Sequence, residues 1–472
     1  MRGVLAVASE CAPLVKTGGL ADVVGALPGA LAPLGWGMRV LLPGYRAVLA
    51  ACGSAPTVRV FDDLMGGPAR LLAARHGGLD LLVLEAAHLY DRDGRIYLGP
   101  DGTDWPDNDA RFAALCQVAA RIAVDGAGDW HPEVLHLHDW QAGLVPEYLR
   151  AHGCAAPSVL TIHNIAFHGL TDAGRLGALG LDPGRFNPSG FEYYGRVSAL
   201  KAGLLGADRL TTVSPTYAQE LTTPAFGMGL DGVIRARAGD LTGILNGIDL
   251  ETWNPVTDPH IHPFKTVRGK GRSREALRDA FDLPDGAGPL AVVISRLTGQ
   301  KGLDLLLDAL PLFLEAGGQL ALLGSGEAAL ESRWLAAATH PQVGVRIGYD
   351  EALSHLMYAG ADAVLVPSRF EPCGLTQLYA LRYGAVPVVA RTGGLADTVI
   401  HANDAALRRG VATGLVHDPG DADALSAALS RLCVLWNAPK LWSRLAANGM
   451  KHPVGWEASA PQYAQILAEL TG

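Results

Sequence analysis

Short, continuous apolar runs alternate with longer helical stretches along the whole chain of 472 residues. By residue number these runs are 4–9, 39–43, 79–86, 133–139, 158–164, 209–214, 289–297, 319–326, 343–349, 362–369, 386–392 and 414–419. Most of them do not alternate apolar with polar side chains, which is typical of parallel strands that helices cover on both faces. The pattern therefore predicts an α/β protein with two doubly wound domains.

The domain boundary is indicated by a change of composition near the middle of the chain. Residues 253–272 are rich in proline, histidine and basic side chains and are typical of a connector. We expect a first domain at 1–245 and a second at 246–454. The closing segment 455–472 has helical spacing without a following strand, so the residues alone allow it to pack on either domain.

Composition excludes some classes of protein. Lys and Arg total 38 against 47 Asp and Glu, a net charge of −9, which argues against a nucleic-acid partner. The six cysteines are scattered with no C-x-x-C pair, which favours free thiols in a reducing, cytoplasmic compartment. No apolar stretch approaches the roughly 18 residues of a membrane span, so no membrane partner is expected.

One hexapeptide, Thr-Gly-Gly-Leu-Ala-Asp, occurs twice, at 17–22 and 392–397. Glycine pairs suit the tight turn between a strand and a helix, which is a sufficient structural explanation for either copy. In the first copy Lys16 also precedes the predicted helix, where free amides and the helix dipole favour an anion. We therefore predict an anion site around Lys16, Gly18 and Gly19, and leave the role of the second copy open.

Two clusters in the second half suit a phosphorylated sugar. Arg296 and Lys301 follow a predicted buried strand, where a guanidinium and an ammonium can bind a phosphate pair. Glu371 precedes a helix predicted to start near Pro372, where it can cap the helix or bind sugar hydroxyls. The amides of residues 374–376 would then point at a phosphate.

Histidines mark the ends of two predicted strands in the first half. His136 and His138 project from the same side of one strand, and His163 ends another. A zinc site would need a third ligand, and none is evident, so buried structural histidines are the alternative. The Asp-x-Asp pairs do not follow apolar strands directly, and no metal is expected.

Six motifs together resemble those of bacterial glycogen synthase and plant starch synthase. They are K-T-G-G-L, H-x-H-D-W, T-I-H-N, N-G-I-D, S-R-L-T-x-Q-K-G and S-R-F-E-P-C-G-L-T-Q-L-Y, in order over nearly the whole chain. The resemblance implies a GT-B fold, in which two Rossmann-like domains face a central cleft. It also implies a retaining hexosyltransferase that moves glucose from ADP-glucose to the non-reducing 4-hydroxyl of an α-1,4-glucan such as glycogen and releases ADP.

The resemblance further implies roles for individual residues and for the last segment, 455–472, whose helix would cross back to the first domain. Residues expected to bind ADP-glucose are Lys16, Gly18, Gly19, Asn246, Arg296, Lys301, Tyr349, Glu371, Cys373, Gly374, Leu375 and Thr376. Residues expected to act in catalysis are Lys16, Asp139, His163, Arg296, Lys301 and Glu371. One departure is that many GT-B transferases carry a second glutamate eight residues after the first, where this chain has Tyr379.

The chemistry to be explained is the cleavage of a bond between an anomeric carbon and a diphosphate. Lys16, Arg296 and Lys301 are expected to stabilise the departing anion without a metal or other cofactor. A double-displacement mechanism would need two carboxylates about 5 Å apart, and the sequence offers no convincing pair. We therefore expect Glu371 to bind sugar hydroxyls while the acceptor attacks from the face that the diphosphate leaves.

Other functions remain open at this point. A GT-B transferase that uses a UDP-sugar or a small acceptor has the same residue types, because only the family resemblance separates adenine from uracil. A glucan-binding protein without catalysis is a second alternative, and a pyridoxal-phosphate phosphorylase shares only the architecture. The sequence does not determine the oligomeric state.

Overall fold

A computed structural model of the chain describes all 472 residues. Its contacts divide the chain into two compact units. The first unit contains Met1–Val213, Ala218–Leu245 and Ser459–Gly472, and the second contains Ser214–Tyr217 and Asn246–Ala458. None of the helices combines the length and the apolar character that a membrane span requires.

The structure contains strands and helices in alternation. The strands are β1 (Arg2–Val7), β2 (Trp36–Pro43), β3 (Thr57–Phe61), β4 (Ala69–His76), β5 (Leu79–Glu85), β6 (Val134–His138), β7 (Ser158–Ile162), β8 (Leu170–Asp172), β9 (Glu192–Tyr193), β10 (Arg196–Ser198), β11 (Arg209–Thr212), β12 (Leu241–Gly243), β13 (Leu290–Ile294), β14 (Gln319–Gly324), β15 (Val343–Ile347), β16 (Ala363–Val366), β17 (Val386–Ala390) and β18 (Leu415–His417). The α-helices are α1 (Gly19–Leu31), α2 (Arg46–Cys52), α3 (Ala87–Tyr90), α4 (Asn108–Asp125), α5 (Val145–Ala151), α6 (Ala199–Gly206), α7 (Pro215–Glu220), α8 (Asp231–Ala236), α9 (Gly271–Ala280), α10 (Leu303–Glu315), α11 (Ala328–Ala337), α12 (Glu351–Gly360), α13 (Thr376–Arg382), α14 (Gly393–Thr398), α15 (Asp404–Arg409), α16 (Ala422–Trp436), α17 (Pro439–Lys451) and α18 (Ala460–Thr471).

The first unit is built on a nine-stranded sheet in the order β12-β11-β7-β6-β1-β2-β5-β4-β3. Its strands are parallel except at one edge, where β4 runs antiparallel to both β5 and β3. The sheet is therefore mixed, and the purely parallel sheet expected from the sequence is corrected at this edge. The edge strand β3 is largely exposed, so it lacks the continuous apolar run that identifies the buried strands.

The second unit is built on a six-stranded parallel sheet in the order β15-β14-β13-β16-β17-β18. Successive residues of β13 alternate between two hydrophobic clusters: Ala291 and Val293 pack on one face, Leu290 and Val292 on the other. Both faces are thus covered, which is why this strand is apolar at every position. The sheet is doubly wound, as the sequence predicts.

The structure gives the ends of several predicted segments, and some of them differ from the expected positions. The main change of unit falls between Leu245 and Asn246, and the last segment returns to the first unit at Ser459, not at residue 455. The helix expected to start near Pro372 starts at Thr376, because the chain first makes a turn through Gly374, whose φ is +72°. An eleven-residue segment, 8–18, separates β1 from α1, so the first Thr-Gly-Gly turn does not follow its strand directly.

Candidate active site

The second unit has a topological switch point between β13 and β16. These strands are neighbours, and the order of the chain reverses between them. In open α/β sheets ligands bind beyond the carboxyl ends of the strands at such a point. The segments that follow these two strands carry Arg296, Lys301 and Glu371.

Lys301 and Glu371 form an ion pair at this point. The Lys301 ammonium lies 2.5 Å from Oε2 of Glu371, and the Ser368 hydroxyl donates to the same oxygen at 2.9 Å. Both charged side chains are largely buried, with 17% and 10% of their surface exposed. A buried pair of this kind has a fixed orientation, so Glu371 can accept hydrogen bonds from a ligand while Lys301 offers positive charge beside it.

Arg296 differs from Lys301 in having no internal partner. It is exposed, and its guanidinium makes no ion pair or hydrogen bond within the protein. By contrast the neighbouring Arg369 is engaged by both oxygens of Asp304 at 2.7 Å. Arg296 is therefore free of internal partners and its predicted role in binding an anion stays a prediction, whereas Arg369 is held by Asp304.

Residues 373–376 form the turn that leads into α13. Gln377 donates to the carbonyl oxygens of Cys373 and Gly374 at 3.1 and 2.8 Å, which holds the turn closed. Burial raises the pKa of the Cys373 thiol to about 12, so this side chain stays protonated and unreactive. The turn can therefore contribute to a site through its backbone, while Leu375 and Thr376 lead into the helix.

The second Thr-Gly-Gly loop supports that turn. A Cβ on Gly393 would lie 2.0 Å from the Glu371 carbonyl oxygen, and one on Gly394 would lie 2.3 Å from the Cys373 carbonyl oxygen. The Gly394 amide donates to the Pro372 carbonyl at 3.1 Å. Only glycine permits this approach, so the second copy has a structural role.

Two further contacts that the sequence did not predict hold the same region. The Ser214 hydroxyl donates to the Pro372 carbonyl at 2.7 Å. The Thr216 amide and hydroxyl donate to Asp397, the last residue of the repeated hexapeptide, at 2.8 and 2.6 Å. The equivalent aspartate of the first copy, Asp22, pairs with Lys16, so the repeated sequence does not indicate this partner.

Asn246 and Tyr349 occupy different surroundings in this unit. Asn246 is buried, its backbone N–H bonds to the Cys373 thiol, and its side-chain Oδ1 has no hydrogen-bond partner. Tyr349 is 75% exposed, and its hydroxyl donates to Glu351 at 2.9 Å. Asn246 thus adjoins the 371–376 turn, while Tyr349 lies at the surface.

The first unit has its own switch point, between β1 and β6. Glu10 follows β1 and is 3% exposed. Its carboxylate accepts hydrogen bonds from the Thr17 amide at 2.5 Å, the Gly18 amide at 3.3 Å and the Tyr97 hydroxyl at 2.9 Å. Burial raises the pKa of Glu10, although these donors offset part of the effect. Glu10 was missed in the sequence, where a lone glutamate in a loop carries no pattern.

Lys16 lies in the loop that Glu10 holds. Its ammonium contacts Asp22 at 2.7 Å, and 41% of its side chain is exposed. Helix α1 begins at Gly19, so Lys16 stands just ahead of a helix N-terminus, as the sequence predicts. The pair with Asp22, which is on the first turn of that helix, orients the lysine side chain.

Asp139 follows β6 and is held in an unusual conformation. Its φ is +55°, a region that non-glycine residues rarely occupy and that is enriched at functional sites. Oδ1 accepts the His163 amide at 2.6 Å and the Asn164 amide at 3.4 Å. Burial, together with the charge of Glu10, raises the pKa of Asp139 to about 7. Asp139 and the Lys16 loop therefore both lie close to the Glu10 carboxylate.

The three histidines of this region form a buried chain of contacts. His138 Nδ1 lies 2.9 Å from His163 Nε2, and His136 Nε2 lies 2.7 Å from the Thr161 hydroxyl. Burial lowers the pKa of His136 and of His163 to about 3, so both rings are neutral at physiological pH. One nitrogen of each ring has a hydrogen-bond partner within the protein, whereas Nε2 of His138 is buried without one.

The comparisons with known proteins agree with this architecture. Residues 3–236 match the family described as starch synthase catalytic domain, and residues 274–451 match glycosyl transferases group 1. The chain is 62% identical over 469 residues to a glycogen synthase of Paracoccus denitrificans (strain Pd 1222), covering 99% of each chain. It is 61% identical to one of Jannaschia sp. (strain CCS1), covering 98% of each.

A solved structure is similar over the same length. The catalytic domain of starch synthase IV from Arabidopsis thaliana, bound to ADP and acarbose, superposes with a TM-score of 0.87 at 31% identity and covers 99% of each chain. The two Rossmann-like units, the match to glycosyl transferases group 1 and the structural similarity together define a glycosyltransferase of the GT-B class. Within that class, the chain belongs to the family of bacterial glycogen synthases and plant starch synthases.

Proposed function

We propose that the protein transfers glucose from ADP-glucose to the non-reducing 4-hydroxyl of an α-1,4-glucan, with retention of configuration and release of ADP. One observation carries this proposal: at the β13/β16 switch point a buried Lys301–Glu371 pair stands in the loops that also contain the unpaired Arg296. A sugar diphosphate needs both a carboxylate for its hydroxyls and cations for its phosphates. The ADP in the Arabidopsis structure supports adenine as the base.

The proposed step breaks the bond between the anomeric carbon and the diphosphate oxygen. Negative charge develops on the diphosphate, and the Arg296 fork and the Lys301 ammonium stabilise it in the transition state. We include Lys16 of the first unit among the groups that act on this charge. The backbone amides of 374–376 supply further donors.

The carboxylates of the two units are poorly suited to attack the sugar. Glu371 is paired with Lys301, and because the ion pair stabilises the negative charge, the carboxylate is a weaker nucleophile. Asp139 has a pKa raised to about 7, so a large fraction of it carries a proton at neutral pH. We therefore propose that the acceptor hydroxyl attacks from the face that the diphosphate leaves. Its proton passes to a phosphate oxygen of the leaving group.

The proposal is tested by incubating the purified protein with ADP-glucose and glycogen and measuring ADP release and labelled glucan. UDP-glucose in a parallel reaction tests the base, and omission of glycogen tests whether release depends on transfer. Release of ADP that requires glycogen and produces α-1,4 linkages is the expected result. ADP release without a labelled glucan, or a strong preference for UDP-glucose, would contradict the proposed reaction.

The absence of a covalent intermediate needs a separate experiment. The protein is incubated with a slow fluorinated donor analogue, quenched in acid and digested, and its peptides are analysed by mass spectrometry. A glucosyl group on Glu371 or on Asp139 would replace the proposed single step by a double displacement.

A further inference from the structure

His138 is a fully buried histidine whose side chain makes one hydrogen bond, to another histidine. None of its surface is exposed, and its Nδ1 lies 2.9 Å from Nε2 of His163. Its other ring nitrogen, Nε2, is enclosed without a partner. Enclosing a polar nitrogen in this way costs free energy that an apolar side chain would not cost. The contact with His163 is therefore the feature of His138 that an apolar residue would not supply.

Two consecutive residues at the end of β6 hold His163. Oδ1 of Asp139 accepts the backbone N–H of His163 at 2.6 Å, while His138 contacts the His163 ring. Consecutive side chains of an extended strand point to opposite faces, but Asp139 has a φ of +55°, which breaks this alternation. Both side chains therefore reach the same neighbour, and the backbone and the ring of His163 are each fixed.

The two rings are neutral at physiological pH. Burial and the neighbouring histidines lower the pKa of His138, and burial lowers the pKa of His163 to about 3. The ring of His136 lies 4.2 Å from that of His138, but His136 uses its own Nε2 for the Thr161 hydroxyl. A neutral imidazole has one donor and one acceptor nitrogen, so His138 and His163 share a single proton across their 2.9 Å contact.

The enclosed Nε2 of His138 distinguishes the two ways of placing that proton. If His138 donates from Nδ1, its Nε2 carries only a lone pair. If His163 donates, Nε2 of His138 carries an N–H that has no acceptor. Enclosed N–H groups without an acceptor are rarer in folded proteins than acceptors without a donor. The first arrangement is therefore favoured, and it leaves the proton of His163 on Nδ1.

We propose that His138 is a positioning residue, which fixes the ring of His163 and holds the His163 proton on Nδ1, so that His163 presents a neutral N–H donor to an oxygen of its ligand. A donor that is oriented in advance needs no reorganisation when the ligand binds. The inference rests on the proposed function only in taking His163 as a residue that contacts substrate. The position of the proton and its dependence on His138 are properties of the protein without substrate.

The proton is located by NMR on the full chain labelled with ¹⁵N-histidine, in long-range ¹H–¹⁵N spectra at pH 7 without substrate. The His163 signals are identified by their loss in His163→Ala. We expect the unprotonated nitrogen of His163 to correlate with both carbon-bound ring protons, which is the pattern of the Nδ1–H tautomer. His138→Leu should replace this pattern by a mixture of tautomers, because the donor to Nε2 is lost.

Two further variants separate positioning from burial. His138→Asn places an amide N–H where Nδ1 lies and should restore the single tautomer. His136→Leu is the matched control, since His136 is 1% exposed on the same strand and is bonded to Thr161 instead of His163. It should leave the His163 signals in the pattern of the unchanged protein.

The transfer assay tests whether His138 acts through His163. His138→Leu should lower kcat by about tenfold to 100-fold per folded molecule, since a displaced ring no longer meets the substrate correctly. His138→Asn should recover most of this loss, and His136→Leu should keep most of the activity. In a His163→Ala background, His138→Leu should cause no further loss, because the two residues form one interacting pair.

Three results would overturn the inference. One is the Nε2–H tautomer of His163 in the unchanged protein, and another is a His163 spectrum that His138→Leu leaves unaltered. The third is a full additional loss of kcat when His138→Leu is added to His163→Ala, which would assign His138 to the core alone. Absence of transfer by the unchanged protein would contradict the proposed function and not the tautomer, which is measured without substrate.

Discussion

The ammonium of Lys301 and the carboxylate of Glu371 form a buried ion pair of 2.5 Å across the switch point of the second unit. Lys301 follows β13 and Glu371 follows β16. Each group holds the other in a fixed position, so both are oriented before a sugar diphosphate binds. Removing either group leaves a largely buried charge without a partner, which lowers the stability of the folded protein. The same ion pair therefore contributes both to the proposed chemistry and to the stability of the loops that carry it.

Glu371→Gln should reduce turnover by about 100-fold or more, because the neutral amide binds sugar hydroxyls less well and no longer orients Lys301. Steady-state assay with ADP-glucose and glycogen measures the effect. Asp304→Asn is the control, since that carboxylate pairs with Arg369 in the same region without a role in the proposed chemistry. Similar losses in the two variants would show that the effect is structural.

Arg296→Ala should raise KM for ADP-glucose and lower turnover, together by about 100-fold in kcat/KM, because the only unpaired guanidinium in these loops is lost. Arg296→Lys should recover part of the activity, since an ammonium supplies charge without the fork. Arg333→Ala, at an exposed arginine elsewhere in the unit, should change little. Full activity of Arg296→Ala would remove this residue from the proposed site.

Lys16→Ala should lower turnover by about 100-fold while the melting temperature stays nearly constant. Its pair with Asp22 is partly exposed and contributes less than about 1 kcal/mol to stability. Calorimetry and the transfer assay together measure the two effects. A near-normal rate would exclude Lys16 from the reaction.

The buried histidines predict a loss of stability in acid. The pKa of His136 is lowered to about 3 in the folded protein, against about 6.5 when unfolded, so the unfolded chain binds more protons below pH 6.5. Stability therefore falls as pH falls from 6.5 towards 3, by about 2 kcal/mol at pH 5 for this residue. Asp139 acts in the opposite direction, because its raised pKa adds stability as pH falls from 7 towards 4.

Urea unfolding of the unchanged protein and of His136→Asn at pH 7 and pH 5 isolates the histidine. The free energy of unfolding of His136→Asn should fall less between the two pH values, by about 2 kcal/mol. Equal slopes for the two proteins would show that His136 is not held neutral in the fold.

Gly393→Ala should destabilise the second unit by about 2 kcal/mol or more, because its Cβ would lie 2.0 Å from the Glu371 carbonyl and its φ is +42°. Activity should fall with it, since the 371–376 turn must move. Gly177→Ala, where nothing lies within 4 Å of the added Cβ, is the matched control and should fold and react normally. Thermal unfolding and the transfer assay provide both readouts.

Much of the fold was predictable because buried strands have a recognisable apolar sequence. Strands such as β13 and β16 are covered on both faces, so every position is apolar and the run is recognisable without any partner. The edge strand β3, its neighbour β4 and the short strands β8–β10 were not predicted. Their residues are partly exposed, and their pairing depends on neighbours that the local sequence does not specify.

The candidate site was likewise predictable where it depends on local sequence and not where it depends on contacts between distant residues. The motifs determined that Lys16, Arg296, Lys301 and Glu371 stand after strands or before helices, because turn and cap chemistry is local. Only the tertiary structure decided that Lys301 pairs with Glu371 while Arg296 stays free, and that Glu10, buried beside Tyr97 from 87 residues away, holds the Lys16 loop. Such contacts join residues far apart in sequence, and their energies arise from burial and distance, which exist only once the chain has folded.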